Sequence, residues 1–254
     1  MSNYLPNFQH DIKYTFKKNK VYGFFTRIGG KSSGNYKSLN GSYNNSDLKE
    51  NVFNNRLRIL KKFKIKKKKI FFLNQVHSSR IIEITKNNKN KKINADGMIT
   101  KKRGFLLGIL TADCAPMVII GEEYVGIIHI GWKGLLDGII ENSIIELKKK
   151  GERVDNLICL VGPHLQGKSF IVKNDFEKML IKKNKKKYII KIKEKKIFNF
   201  SKLISHSLRR MGIKKYEISR IDTYSNPELF FSYRYSKNYD GCDCGRQISV
   251  VGIT

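Results

Sequence analysis

His77 in NQVHSS, Cys114 in LTADCAP and His129 in GIIHIGWKG are the residues of this chain best suited to chemistry. Two imidazoles and a thiol are zinc ligands by type. Three protein ligands leave the fourth position of a tetrahedral zinc open, which separates a catalytic site from a structural one. Imidazole and thiolate also suit copper. The spacing between the three is long and has no CxxC or HExxH compactness. Taken alone, they also fit two ordinary polar histidines and a small core cysteine.

Each of the three lies at or just past the C-terminal end of an apolar segment, where functional groups collect in layered α/β folds. Asp113, beside Cys114, is a candidate general base or a group that orients a ligand, with capping of the turn as an equal alternative. Arg27, Lys133 and Arg234 are candidate anion contacts, and each could equally be a surface residue. Trp132, the only Trp in the chain, serves either stacking against a base or core packing. Cys242 and Cys244 form a CxC with no nearby His to complete a metal pair, so they read as a loop with two thiols. Cys159 inside LICLVG reads as core, and His164 after a Gly-Pro is a candidate for lining a pocket. His206, on the polar side of a helix, and His10, near the N-terminus, receive no function.

The elements that must position these residues are legible in outline. VYGFF (21–25) reads as a strand, and TRIGGKSSGNYKSLN (26–40) as a long Gly/Ser/Asn loop. GGKSSG looks like a phosphate loop, but the Walker pattern needs a Gly where Phe25 stands. Ser46 or Asp47 can cap a helix running to about residue 63. Asp47 with Glu50 would be its capping box, and Val52, Phe53, Leu57 and Leu60 its apolar face. A Lys-rich stretch over 61–69 ends it, and IFFLNQV (70–76) reads as a strand that delivers His77. A hairpin-like pair of strands around RIIEIT and the polar insert 86–94 comes next, then ADGMIT. FLLGIL (105–110) reads as a buried strand, with LTADCAP as the turn after it, closed by Pro116. MVII and YVGIIHI read as two strands joined by a short GEE turn.

The spacing then predicts a helix over 133–150, with Leu135, Leu136, Ile139, Ile140 and Leu147 inward and Gly151 as its C-cap. The strand LICLVG, the loop PHLQGKS and a helix near 175–180 follow. A Lys-rich stretch (182–196), a helix over 200–211, a strand near 216–221 and the strand QISVVGI complete the chain. Strands and helices interleave without a strict βαβ rhythm. The expected fold class is therefore α+β, a single layered domain over 1–254 with mixed β-sheets flanked by helices.

Composition narrows the function classes. The formal net charge is +30, which draws phosphates to the surface without sequence preference. The charge is mostly Lys, however, and recurs in runs along the whole chain. Asn and Ile are also abundant and Pro and Trp scarce, the joint bias of an AT-rich coding sequence. The runs therefore read as solvated surface and not as a specific nucleic-acid site. Few aromatics are interleaved with them to stack bases. No run of 18 apolar residues predicts a membrane span, and no signal-peptide stretch opens the chain. Four cysteines at this length do not make a disulfide framework, and reduced thiols in a cytoplasmic protein are expected.

The segments FFTRIGG, YKSLN, NQVHSS, ADGMIT, LTADCAPMVI, VGIIHIGWKGL, VGPHLQGKSF, DTYSNPELFFSYR and GRQISVVGI span nearly the whole chain. In type and order they resemble the blocks of the bacterial YfiH-type proteins. That family was long labelled multicopper polyphenol oxidoreductase or laccase-domain proteins. Its members are now described as purine nucleoside phosphorylases with adenosine deaminase activity. The resemblance implies a metal site on His77, Cys114 and His129, holding zinc, with copper as the alternative. It implies purine nucleosides and phosphate as partners, with adenosine, inosine or methylthioadenosine split to free base and pentose 1-phosphate. Cys114, His77 and Asp113 are then the catalytic candidates, and Arg27, Lys133 and Arg234 the substrate contacts.

Three features depart from the family pattern. Lys133 stands where Arg is usual, and Lys cannot make the same bidentate contact to phosphate. Ile171 replaces a carboxylate in the segment 170–172. The CxC at Cys242 and Cys244 is an addition. The strongest rival enzyme reading is hydrolysis of a peptidoglycan precursor, with Cys114 as a thiolate nucleophile. Copper-dependent polyphenol oxidation is weaker, because multicopper centres need more histidines than the five present. From a different class comes a basic nucleic-acid-binding module.

Overall fold

The computed structural model describes residues 14–16, 19–63, 69–85 and 93–254. In chain order its first elements are β1 (Tyr14–Phe16), β2 (Lys20–Phe24), α1 (Lys49–Lys62), β3 (Ile70–Phe72), β4 (Ile81–Glu83) and β5 (Gly97–Thr100). Then come β6 (Phe105–Thr111), β7 (Ala115–Ile120), β8 (Val125–Ile130), α2 (Trp132–Leu136), α3 (Ile139–Lys149), β9 (Ile158–Val161) and β10 (Ile171–Val172). The last are α4 (Asn174–Lys182), β11 (Ile189–Ile192), β12 (Lys195–Phe198), α5 (Phe200–Arg210), β13 (Lys215–Ile218), α6 (Tyr233–Tyr239) and β14 (Gln247–Ile253).

Two large sheets dominate. One has the order β1-β2-β14-β6-β3, antiparallel except for the parallel β3–β6 pair. The other has the order β13-β9-β7-β8-β5-β4, with parallel pairs at both edges. A small antiparallel sheet, β10-β12-β11, lies apart from them.

Side-chain alternation shows how they stack, since neighbouring residues of a strand face opposite sides. In β6, Leu106 packs with Ile59, Leu60 and Phe63 of the α1 region, while Leu107 and Ile109 join Val118, Val125 and Ile127 of the second sheet. In β7 and β8, Met117, Ile119, Ile128 and Ile130 pack instead with Ile140, Ile144, Leu203 and Leu208 of α3 and α5. The order is thus helix, sheet, sheet, helix, a mixed-sheet layered fold as the sequence predicts. Strands buried on both faces read as continuous apolar runs, which is why FLLGIL and MVII carry no polar alternation. No helix among the described residues is long and apolar enough to cross a membrane.

Several local expectations need correction. The helix over 133–150 is two helices, because Gly138 adopts φ +86°, a left-handed conformation that ends α2 before α3 begins. The strands β4 and β5 pair parallel and form no hairpin. The Asp47–Glu50 capping box does not form: Leu48 occupies the N-cap position without a side-chain bond. Asp47 is drawn away by Ser32 Oγ (2.6 Å) and Asn40 Nδ2 (2.7 Å). Phe53 is 53% exposed, and the buried side of α1 contains Asn55 instead. Its amide donates to Ser32 Oγ, Ser38 O and Asn40 O and so fastens the loop 26–40. Half of the Lys-rich stretch 182–196 is the β11–β12 hairpin. His10, residues 64–68 and the insert 86–92 lie outside the described residues.

Candidate metal centre

His77 follows β3 through a segment that Gln75 stitches to β6. The Gln75 side chain donates to Leu110 O and accepts from Leu110 N, both at 2.8 Å, in place of a further ladder step. His77 itself takes a left-handed backbone, φ +59°. Cys114 closes the turn between β6 and β7, directly after Asp113 at φ +85°. His129 sits within β8, opposite Pro116 of β7. A non-glycine residue in the left-handed region costs roughly 1–3 kcal/mol and persists only where its surroundings impose it. Two such residues meet at this one place.

The structure brings the three side chains together. One donor atom from each of His77, Cys114 and His129 lies within 4.8 Å of the others. Cys114 Sγ is 3.7 Å from His77 Nε2, and the two imidazoles stand edge to face with centroids 4.8 Å apart. His129 is buried, Cys114 partly buried and His77 exposed, so the group opens to one side. Among the described residues no second His, Cys, Asp or Glu cluster has such geometry. These three residues could hold a metal ion.

The electrostatics suit a cation. Burial opposes ionisation of Cys114, yet the nearby His129 and His77 outweigh it and bring the thiol from 9.0 down to about 6. Burial likewise disfavours charge on His129, but Cys114 and a hydrogen bond to Asp96 raise it to about 9. Asp96, also buried, is held down to about 2 by its bonds to His129 and Ser78. The signs fix a window. The depressed thiol stabilises the fold above pH 9 and loses that contribution as pH falls through about 6. The raised imidazole contributes below pH 6.5 and loses it as pH rises through about 9. A thiolate–imidazolium pair therefore spans about pH 6 to 9 in metal-free protein. Alkylation of Cys114 by iodoacetamide in that state is expected to titrate near pH 6 and to be suppressed by bound metal; a midpoint near 9 would contradict the pairing. Cys159 and Cys244, both pushed up to about 12 by burial, should stay unreactive.

The three residues stand in a cavity of about 1000 Å³. One stretch of wall is aromatic and includes Trp132, Phe170, Phe176 and Phe200. Another is polar and cationic, with Asn44, Gln75, Arg234, Asn238 and Arg246. Trp132 packs edge-on against Phe176 at 5.1 Å, the packing role expected of it, and also lines the cavity.

The remaining candidates divide. Asp113 lines the cavity, but its carboxylate accepts from Thr223 Oγ1 (2.8 Å) and from the Arg234 backbone N–H (2.6 Å). Oδ1 thus ties the Cys114 turn to the loop at Thr223, and Oδ2 ties it to the start of α6. Arg234 also lines the cavity and donates to Ile171 O at 3.0 Å. Arg27 is not among the lining residues; it donates to Lys37 O (2.5 Å) and Pro227 O (2.7 Å) and covers the Phe231 ring. Lys133 is exposed beside Trp132, also off the lining. His164 is fully buried between Gly162 O and Ser201 Oγ, and His206 bonds Tyr188. Cys242 accepts from Asn35 Nδ2 at 3.0 Å.

Asp96, Gln75 and Arg246 carry no local signal in the sequence, although each lies in a segment of the resemblance: ADGMIT, NQVHSS and GRQISVVGI.

Comparison with known proteins follows the same segments. Residues 21–254 match the family described as multi-copper polyphenol oxidoreductase laccase. A purine nucleoside phosphorylase of Rickettsia conorii is 32% identical over 225 residues, covering 85% of this chain and 88% of that one. A purine nucleoside phosphorylase of Haemophilus influenzae is 32% identical over 234 residues, covering 89% and 91%. The crystal structure of YfiH from Bacillus licheniformis superposes with a TM-score of 0.83 at 25% identity, over 92% of this chain and 93% of that one.

Proposed function

The chain belongs to the YfiH-type family described as multi-copper polyphenol oxidoreductase laccase, and from that membership we propose that it is a zinc-dependent purine nucleoside phosphorylase. One observation carries this reading: a two-imidazole, one-thiol group opens into a cavity large enough for a nucleoside and phosphate together, with aromatic and cationic walls. In the reaction, an oxygen of inorganic phosphate bonds to C1′ of adenosine, inosine or methylthioadenosine. The C1′–N9 bond breaks, and the purine leaves with the electron pair and takes up a proton.

The donor set fits zinc. The thiol is pulled toward thiolate, and His129 has its Nδ1 committed to Asp96 at 2.8 Å, which leaves Nε2 for a ligand. When bound, the metal supplies positive charge against negative charge developing on the substrate. The chain's own residues do the rest. Trp132, Phe170, Phe176 and Phe200 offer faces and edges for the purine and exclude water from it. Arg234 and Arg246 supply the cationic wall for phosphate, with Arg234 pre-oriented by its bond to Ile171 O. Asp113 holds the Cys114 turn and α6 in register and so acts as a positioning group. Deamination of adenosine is a second use of the same site.

One observation favours a different reading. Cys114 beside His77, with its thiol lowered to about 6, has the form of an activated nucleophile, as hydrolysis of a peptidoglycan precursor would need. Copper-dependent phenol oxidation has less support, because His164 and His206 are committed elsewhere.

Incubation with adenosine decides among these. Free adenine appearing only with phosphate is expected. Inosine in its place would indicate deamination, and an inert nucleoside with turnover of a seryl muropeptide precursor would favour the nucleophile.

A further inference from the structure

Asp96 is wholly buried, and its hydrogen bonds converge from both histidines. Its Oδ1 lies 2.8 Å from His129 Nδ1 and accepts from the His77 backbone N–H at 3.0 Å. Its Oδ2 accepts from Val76 N–H (3.2 Å), Ser78 N–H (2.6 Å) and Ser78 Oγ–H (2.7 Å). Its carbonyl accepts from the His129 backbone N–H at 2.7 Å. Three consecutive N–H groups, at 76, 77 and 78, thus wrap one carboxylate. Such convergence requires the chain to turn between them, as the left-handed φ of +59° at His77 does. The same carboxylate leaves the His129 ring one arrangement with no buried unpaired donor: Nδ1–H toward Asp96 and Nε2 toward Cys114.

From this convergence we infer that Asp96 is the positioning residue of the metal centre, holding His77 by its backbone and His129 by its ring with one buried carboxylate. It connects two ligands that lie on separate elements, His77 after β3 and His129 in β8. Partners of this kind fix the tautomer and orientation of a ligating imidazole. The inference rests on the three residues holding a metal, and not on which reaction the metal serves.

Asp96→Asn tests it because the amide keeps the shape and removes one acceptor. If the amide oxygen faces His129, its NH2 confronts the N–H groups of Val76 and Ser78. If it is reversed, the NH2 confronts His129 and His77. The first arrangement keeps both direct bonds but repels the N–H groups on either side of His77, and the second removes the direct bonds to both ligands. Cobalt(II) titration of the metal-free protein, followed by its visible spectrum, should show binding weakened about 10- to 100-fold. Ser78→Ala, which keeps every backbone N–H on Asp96 and removes the hydroxyl's bonds to Oδ2 and to the Arg80 N–H, should bind within about twofold of wild type. Binding by Asp96→Asn as tight as wild type, with an unchanged spectrum, would overturn the inference.

Nitrogen-15 NMR of His129 gives an independent reading on the wild-type, metal-free protein. Read on the neutral form of the ring, a protonated Nδ1 is expected, and a protonated Nε2 with bare Nδ1 would overturn the inference even if the Asn variant fails to fold. Wild-type protein that takes up no cobalt would remove the metal reading itself, a result distinguishable from a failure confined to Asp96.

Discussion

Cys114→Ala strips the protein of its metal and of nucleoside turnover together, while the fold survives; that is the expected result. A four-ligand zinc site carries ~10–16 kcal/mol of binding free energy, so one thiolate is worth roughly 2.5–4 kcal/mol. At 1.4 kcal/mol per decade, affinity should fall about 100- to 1000-fold. Cys114 is only partly buried, so a smaller side chain leaves little cavity behind. It is a cleaner choice than a His129 variant, which would leave the wholly buried Asp96 carboxylate without its ring partner. Breaking a buried pair of that kind costs ~3–5 kcal/mol and confuses unfolding with loss of metal. Metal analysis, circular dichroism and adenosine turnover on one preparation decide the matter. Full metal content with activity abolished would assign Cys114 to nucleophilic attack instead.

Gly131→Ala should damage the centre from outside it. A Cβ at Gly131 would lie 2.5 Å from Cδ2 of His77, closer than real carbon atoms approach. The backbone there, φ −81° and ψ 160°, accepts alanine without strain. The cost therefore falls on the His77 ring, which is exposed and can swing away only by carrying its Nε2 out of the group. A displacement of about 1 Å at such a position can cost ~100-fold in turnover. Loss of that order, with thermal stability changed by less than about 1 kcal/mol, is expected by steady-state kinetics and melting. Gly134 stands one helical turn on and faces the Ser78 carbonyl at 2.6 Å. Backbone cannot swing aside, so Gly134→Ala should lower stability as well as activity. The two glycines of HIGWKG are thus required where α2 passes against the His77 turn. Wild-type turnover in Gly131→Ala would contradict this account of their role.

What the sequence discloses here follows the range of the interactions. The continuous apolar runs FLLGIL, MVII and YVGIIHI became β6, β7 and β8, because burial on both faces writes itself into every position. The candidate ligands are legible in part: two imidazoles and a thiol at the ends of apolar segments are noticeable by type, but their long spacing leaves them open until the surrounding blocks of the family resemblance single them out. Asp96 is not, since a single Asp before a Gly looks like any turn. Its meaning lies in His129, 33 positions further on, and in three backbone groups that carry no sequence signature. Asp47 shows the reverse failure. Its local pattern promised a cap, and the tertiary partners Ser32 and Asn40 outbid the helix. Gly138 could have been read as a break, but the apolar spacing on either side of it continued the helical period. In the Lys-rich stretch 182–196, charge hid the β-branched residues Ile189, Ile190 and Ile192 that build the small sheet.

The cationic wall of the cavity is the least legible part. Arg27, Lys133 and Arg234 look alike as anion ligands by type, yet of the three only Arg234 lines the cavity, together with Arg246. Which arginine reaches a cavity depends on the path of the loops 221–232 and 240–246. That path is set by Asp113 and Asn40, residues far away in the chain.

The shared coordination of one ion by His77, Cys114 and His129 is tested most directly by X-ray absorption at the edge of the metal in the purified protein. One sulfur and two imidazoles, completed by a light-atom ligand, at about one ion per chain is the expected result. A coordination shell without sulfur, or one unchanged in Cys114→Ala, would contradict it.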